Sequence, residues 1–352
     1  MLSKLSMKIL GIETSCDETS VAIVDSNKNI LCNLISSQIE IHREFGGVVP
    51  EIAARSHAEI LDKMILKSLK ETNLSLKDID GIAVTAGPGL IGGVIVGVMT
   101  AKAIASVEKK PFIAVNHLEA HALTSRLTSD IKFPYLILLV SGGHCQILLC
   151  SGVGQYKKLG STIDDALGEA FDKVASMIGL DYPGGPKIEK MAVMGNENRF
   201  NFPKPLINSS DKFNFSFSGL KTAVRREIEK LTGINYDHYS SNHKLSEVDI
   251  CDISASFQKT VVGIITNRIK NIIRENNLRV DNLVIAGGVA ANRYIYQKIS
   301  DFVKKEFNMN TIAPPVKLCT DNAAMVAWVG IERLQLNMID QLDFKPKARW
   351  DL

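Results

Sequence analysis

The sequence predicts an α/β protein of two related halves, and three observations carry that prediction. At 352 residues the chain exceeds the length at which a single hydrophobic core usually stops growing. Short apolar runs of strand length alternate with segments whose apolar residues recur at helical spacing. A strand–turn–strand pattern occurs twice, once near the N-terminus and once in the middle of the chain.

The first pattern covers residues 8–24: Ile9-Leu10-Gly11-Ile12, a turn rich in hydroxyls from Glu13 to Ser20, then Val21-Ala22-Ile23-Val24. Residues 30–37 supply a third strand. Over residues 50–70, Ile52, Ala53, Ile60, Leu61, Met64, Ile65 and Leu69 fall at helical spacing. Residues 81–85 form a strand that Ala86-Gly87-Pro88-Gly89 ends. The helix expected over 92–106 is rich in glycine and alanine and is suited to close packing on a sheet. The second pattern runs from Tyr135 to Val140, through Ser141-Gly142-Gly143-His144, to Cys145 and Cys150. Beyond it are expected a helix over 164–177, a turn at Tyr182-Pro183-Gly184-Gly185-Pro186, a helix over 254–276 and a strand over 282–286. That strand runs into Gly287-Gly288-Val289-Ala290-Ala291-Asn292. The polar stretch 235–249 reads as an exposed loop.

Apolar residues make up 45% of the chain and charged residues 22%, which excludes broad disorder. A net charge of +3 neither requires nor excludes a nucleic-acid substrate. Cys16, Cys32, Cys145, Cys150, Cys251 and Cys319 are scattered without a C-x-x-C pair, and read as reduced thiols rather than a disulfide framework. With no signal-type segment and no segment approaching a membrane span, a soluble cytoplasmic protein is expected.

The chemistry centres on Val115-Asn116-His117-Leu118-Glu119-Ala120-His121. On a helix, four residues bring both imidazoles to one face, within reach of one metal ion. A helical zinc peptidase needs the glutamate directly after the first histidine. Glu119 comes one position later, roughly 200° around the helix from His117, which turns it away from such a metal. The alternative is that the histidines cap or line a helix face. Asp321, in Cys319-Thr320-Asp321-Asn322, reads either as a helix cap, as does Thr320, or as a third ligand. Two histidines and one carboxylate with open positions favour Fe(II), with zinc or manganese as alternatives.

Three turns suit close approach of an anion or nucleotide: Glu13 to Ser20, Ser141-Gly142-Gly143, and Gly287-Gly288. Neither a P-loop nor a dinucleotide fingerprint is present. Asp164, Asp165, Glu169 and Asp172 fall at helical spacing, Asp172 being the best functional candidate among them. Phe215-Ser216-Phe217-Ser218-Gly219-Leu220-Lys221-Thr222 offers a lysine that either faces a phosphate or is solvated.

In combination these segments resemble the bacterial tRNA threonylcarbamoyladenosine transferase family, formerly labelled O-sialoglycoprotein endopeptidase. The matching stretches begin with Gly11-Ile12-Glu13-Thr14-Ser15-Cys16-Asp17-Glu18-Thr19, Gly46-Gly47-Val48-Val49-Pro50-Glu51 and Thr85-Ala86-Gly87-Pro88-Gly89-Leu90. They continue through the histidine segment, Val140-Ser141-Gly142-Gly143-His144, and residues 164–173, 181–186, 215–222, 286–292 and 319–322. The resemblance covers nearly the whole chain. It implies the actin-like ATPase fold shared with sugar kinases and heat-shock chaperone ATPases, two ribonuclease H-like domains around a central nucleotide cleft. The expected boundaries are 7–134 with 320–352, and 135–319.

The resemblance further implies transfer of the threonylcarbamoyl group from L-threonylcarbamoyl-adenylate to the exocyclic amine of the adenosine 3′ of the anticodon in tRNAs reading ANN codons, releasing AMP. It carries over His117, His121 and Asp321 as ligands of one divalent metal, most naturally iron. It carries over Leu139, Val140, Ser141, Gly142, Gly143, Asp172, Gly185 and Asn292 as substrate contacts. Archaeal relatives have a tyrosine ligand where Leu139 stands, so water, substrate or another residue completes the coordination here. The attacking amine must lose a proton, and Asp17 is the first candidate base, His144 the second. The implied partners are tRNA, a degenerate paralogous subunit and a small P-loop ATPase. Rival readings are a metallopeptidase and a chaperone-like nucleotide switch.

Overall fold

The computed structural model describes residues 6–43, 45, 47–234 and 245–352. They divide into two compact units. Unit 1 comprises Met1–Ile131, Gly152–Gln155 and Thr320–Leu352, and unit 2 comprises Lys132–Ser151 and Tyr156–Cys319.

Unit 1 opens with β1 (Lys8–Glu13), β2 (Glu18–Asp25) and β3 (Ile30–Ser37), followed by α1 (Ile39–Arg43) and α2 (Pro50–Thr72). Then come β4 (Gly81–Gly87), α3 (Ile91–Glu108), β5 (Phe112–Asn116) and α4 (His117–Thr128). The sheet order is β3-β2-β1-β4-β5, antiparallel from β1 to β3 and parallel from β1 through β4 to β5. Every residue of β4 and β5 is buried, as expected for parallel strands covered on both faces.

Unit 2 repeats that topology. Its elements are β6 (Tyr135–Val140), β7 (Cys145–Gly152), β8 (Gln155–Ser161), α5 (Leu167–Met177), α6 (Gly184–Ala192), α7 (Ser218–Thr232), α8 (Glu247–Glu275), β9 (Asn282–Ala286), α9 (Arg293–Phe307) and β10 (Asn310–Ile312). The sheet runs β8-β7-β6-β9-β10, with β6 antiparallel to β7 and parallel to β9. The likeness of the two hairpins in sequence thus reflects a repeat of the whole sheet plan. The chain finally returns to unit 1 as α10 (Ala323–Gln335), which packs on β1, β2, β4, β5 and α4.

Several expectations need correction. The helix expected over 164–177 begins only at Leu167, because the Asp164 carboxylate accepts hydrogen bonds from Phe217 N (2.8 Å) and Ser218 Oγ (2.7 Å) and so belongs to the next segment's turn. Of the loop expected over 235–249, residues 235–244 lie outside those described, as does Gly46 of the Gly46–Glu51 motif. Glu247 to Asp249 are helical, started by a capping box between Ser246 and Asp249. Among the described residues α3 is long and apolar enough to cross a membrane. Its Val94, Val98, Ala101 and Ala105 lie in the core of unit 1, so its apolar composition serves packing.

The parallel arrangement decides where the chemistry sits. Strands β1, β4 and β5 end along one edge of the sheet, so Glu13, Thr85 and the first residue of α4 are delivered to one place. Gly11 permits α10 to close on that edge: a Cβ there would stand 2.4 Å from Ala323 O and 2.7 Å from Ala327 N. Gly11→Ala is therefore predicted to destabilise the protein by about 1–3 kcal/mol through overpacking. The check is the midpoint of denaturant unfolding; an unchanged midpoint would show that α10 yields without cost.

Candidate metal centre and glycine-rich turns

His117 and His121 both lie on α4, and Asp321 lies just before α10. Asn322, rather than Asp321 or Thr320, caps α10 by accepting from Met325 N at 3.1 Å. Asp321 is thereby left for the histidines: its Oδ1 stands 3.4 Å from His117 Nε2 and 3.1 Å from His121 Nε2. The three prospective ligand atoms all lie within 4.8 Å of one another. Ligand atoms about 2.1 Å from a tetrahedral ion stand about 3.4 Å apart, so the donor set and its spacing fit a divalent transition metal.

The deeper layer is Glu13. Its Oε2 lies 3.1 Å from His117 Nδ1 and accepts from Thr85 Oγ1 at 2.5 Å, while Oε1 accepts from Ser15 N at 2.6 Å. Ser15 Oγ also approaches His117 Nδ1, at 3.2 Å. Facing a carboxylate, Nδ1 carries a proton, and Nε2 is turned to the ligand position. Burial by itself would lower the His117 pKa, but Asp321 and Glu13 outweigh it and raise it to about 9. Burial likewise works to raise Glu13, and the His117 charge outweighs it, holding that carboxyl below its usual range.

The β1–β2 turn continues with a cluster of acids. Asp17 is 8% exposed. Burial, then the charges of Asp17 and Asp321, push Glu18 up to about 9, and it shares a hydrogen bond with Asp17. Burial and Asp17 also push the Cys16 thiol up, which removes it as a nucleophile at neutral pH. Glu119 is fully buried and turned to other partners: its Oε2 pairs with Arg333 at 2.7 Å and its Oε1 accepts from Gly154 N at 3.1 Å.

The remaining residues of interest lie in unit 2. Leu139 and Val140 are fully buried at the end of β6. Ser141 N donates to His144 O at 2.8 Å, closing the tight turn, and Ser141 O accepts from Gly168 N at 3.1 Å. Gly142 and Gly143 have open space where a Cβ would be. Asp172 accepts from Gly184 N at 2.7 Å and from Gly185 N, binding the start of α6; burial nonetheless raises its pKa. Asn292 caps α9 by accepting from Ile295 N at 2.9 Å and donates to Gln258 Oε1 at 2.5 Å. Lys221 is ion-paired with Asp165, so the lysine considered for a phosphate is already engaged.

A family model described as tRNA N6-adenosine threonylcarbamoyltransferase matches residues 29–328. The chain is 53% identical over 347 residues to the tRNA N6-adenosine threonylcarbamoyltransferase of Wolbachia pipientis wMel, with 98% of each chain covered. It is 55% identical over 351 residues to that of Rickettsia rickettsii (strain Sheila Smith), again with 98% of each covered. The chain belongs to the tRNA N6-adenosine threonylcarbamoyltransferase family.

Solved structures show the fold of this threonylcarbamoyltransferase family member. Full-length HypF aligns with a TM-score of 0.61 at 14% identity, over 95% of this chain and 47% of that one. Component A of (R)-2-hydroxyglutaryl-CoA dehydratase from Acidaminococcus fermentans aligns with a TM-score of 0.51 at 12% identity, over 91% and 96%. Both agree with the actin-like ATPase fold that the sequence resemblance implied. Sequence reasoning missed the partnership of Glu13 and Ser15 with His117, and that of Thr85 with Glu13, since nothing in their spacing signals it.

Two outcomes are predicted for this threonylcarbamoyltransferase centre. His117→Ala with His121→Ala abolishes uptake of a divalent metal while the fold survives, and Glu13→Gln weakens it about tenfold to hundredfold; elemental analysis after dialysis reads both, and full metal content in the double variant would refute the ligand assignment. In the metal-free protein the His117 pairing stabilises the fold below the ordinary pKa of 6.5 and is lost as pH rises through about 9. Metal uptake must expel that proton, so affinity is predicted to rise about tenfold per pH unit up to the same value. Calorimetry in buffers of different ionisation enthalpy tests this through the release of one proton.

Proposed function

We propose that this chain transfers the threonylcarbamoyl group from L-threonylcarbamoyl-adenylate to the N6 amine of the adenosine 3′ of the anticodon in tRNAs reading ANN codons. The observation that carries the reading is the buried His117, His121 and Asp321 set, braced by Glu13, in a chain 55% identical to a curated threonylcarbamoyltransferase. The amine nitrogen attacks the carbamoyl carbon, the bond to the adenylate phosphate oxygen breaks, and AMP leaves. When bound, a divalent metal, Fe(II) in this reading, supplies a positive charge that polarises the acyl phosphate.

The chain's own groups orient substrate and manage the proton. Asp17, hydrogen-bonded to Glu18 in the β1–β2 turn, takes the proton from the attacking amine, with His144 as the second candidate. The backbone of Leu139, Val140, Ser141, Gly142 and Gly143 holds the adenylate, and the open glycines let its atoms approach the amides closely. Asp172, Gly185 and Asn292 complete that surface, the first and last chiefly by fixing the starts of α6 and α9. The reaction runs in the cytoplasm, with a degenerate paralogous subunit and a small P-loop ATPase as partners, as the family resemblance implies.

The peptidase reading fails on Glu119, whose two carboxylate oxygens are engaged by Arg333 and Gly154 N and so do not face the histidine pair as a base. The test combines the protein with tRNA, threonylcarbamoyl-adenylate and its partner proteins, followed by nucleoside analysis. Threonylcarbamoyladenosine is expected, with loss of at least about a hundredfold in rate for Asp17→Asn. Absence of product from the complete mixture would defeat the transferase reading, and an unaffected Asp17→Asn would reassign the base.

A further inference from the structure

Outside the metal set, unit 1 contains a buried chain of polar side chains that neither ligand binding nor proton transfer uses. His57, in the middle of α2, is 0% exposed. Its Nε2 lies 3.0 Å from Cys16 O, and its Nδ1 lies 2.8 Å from Thr19 Oγ1 and 3.4 Å from Gln38 Nε2. Gln38 Oε1 in turn lies 3.2 Å from His42 Nε2, and His42 Nδ1 accepts from Val49 N at 3.3 Å. The two ends settle every orientation. A carbonyl at Cys16 requires a proton on His57 Nε2, so Nδ1 accepts. A donating amide at Val49 requires a bare Nδ1 on His42, so its Nε2 donates to Gln38. Burial holds the His57 pKa below its ordinary value, in keeping with this neutral form.

The consequence falls on the β1–β2 turn. Three successive carbonyls there are each held by a donor from a different segment: Ser15 O by Leu90 N at 2.7 Å, Cys16 O by His57, and Asp17 O by Gln38 N at 3.0 Å. His57 is the one side chain among these three donors. In a trans peptide the carbonyl and the following N–H point in opposite directions, so fixing Ser15 O and Cys16 O directs the amides of Cys16 and Asp17 to the other side of the turn. The ring itself has little room to move, because a Cβ at Gly93 would stand 3.0 Å from His57 Cδ2.

We propose that His57 is a positioning residue for the transfer reaction: through the Cys16 carbonyl it sets the peptide planes of the turn that carries Glu13 and Asp17. The proposal rests on the transferase reading for its effect on rate, but not for its effect on the turn. The full chain with its partner proteins is compared as wild type, His57→Leu and His57→Gln. Glutamine can return an amide donor near the Nε2 position, whereas leucine fills the space without one. His57→Leu is expected to lose about tenfold to hundredfold in kcat, with KM for tRNA and metal content unchanged, and His57→Gln to recover most of the loss. Should His57→Leu fail to fold, His57→Asn, whose amide is too short to reach the carbonyl, takes its place against His57→Gln. In parallel, 1H–15N spectra of the isolated chain are expected to show the Cys16 and Asp17 amides displaced in the donorless variant and restored in His57→Gln. Equal activity in the donorless and glutamine variants, or amides that do not move, would overturn the proposal. A wild type that makes no product while those amides move and return would defeat the transferase reading and uphold the positioning of the turn.

Discussion

The contact between Glu13 and His117 is the constraint around which unit 1 is arranged. A fully buried carboxylate is costly unless it is paired and hydrogen-bonded. Here it faces one imidazole and accepts from Thr85 Oγ1 and Ser15 N. These partners come from the end of β4, the turn after β1 and the start of α4. The pairing is thus possible only when three strands run parallel and finish together. It also determines which imidazole nitrogen is left for a metal, so fold and chemistry are decided by one interaction.

Close approach of backbone supports that arrangement. Gly11 lets α10 settle against β1, which brings Asp321 within 3.4 Å of both histidines. Asn322 takes the capping role, and the adjacent aspartate can then serve the site instead of the helix. Unit 2 uses the same sheet plan differently. Of the residues expected to contact substrate there, Asp172 accepts from the first amide of α6, Asn292 caps α9, and the exposed glycines of the β6–β7 turn have open space where a Cβ would stand.

Much of this was legible in the sequence where chemistry is local. The paired hairpins, α2, α3 and the histidine helix follow from periodicity and turn residues, and the offset of Glu119 correctly turned it away from the histidines. Strand β5 was not anticipated, because five buried residues directly before a helix offer neither alternation nor a separating turn. Strand β8 was missed for the opposite reason: Gln155–Ser161 is largely polar and exposed, and it is held by pairing rather than by burial. The start of α5 was placed too early because Asp164 looks like a helical acid until Ser216 and Ser218 are brought to it.

By itself the sequence determined the α/β class, the doubling of the hairpin, the family and the chemical types available at the site. Those depend on side-chain period, turn propensity and motif order, all of which act over a few residues. Only the tertiary structure decided that Asp321 meets His117 and His121 across about two hundred residues, that Glu13 orients His117, and that His57 holds the Cys16 carbonyl. Such pairings are set by where parallel strands end and by which helices can approach them. That information lies in the packing of the whole unit, and no local spacing carries it.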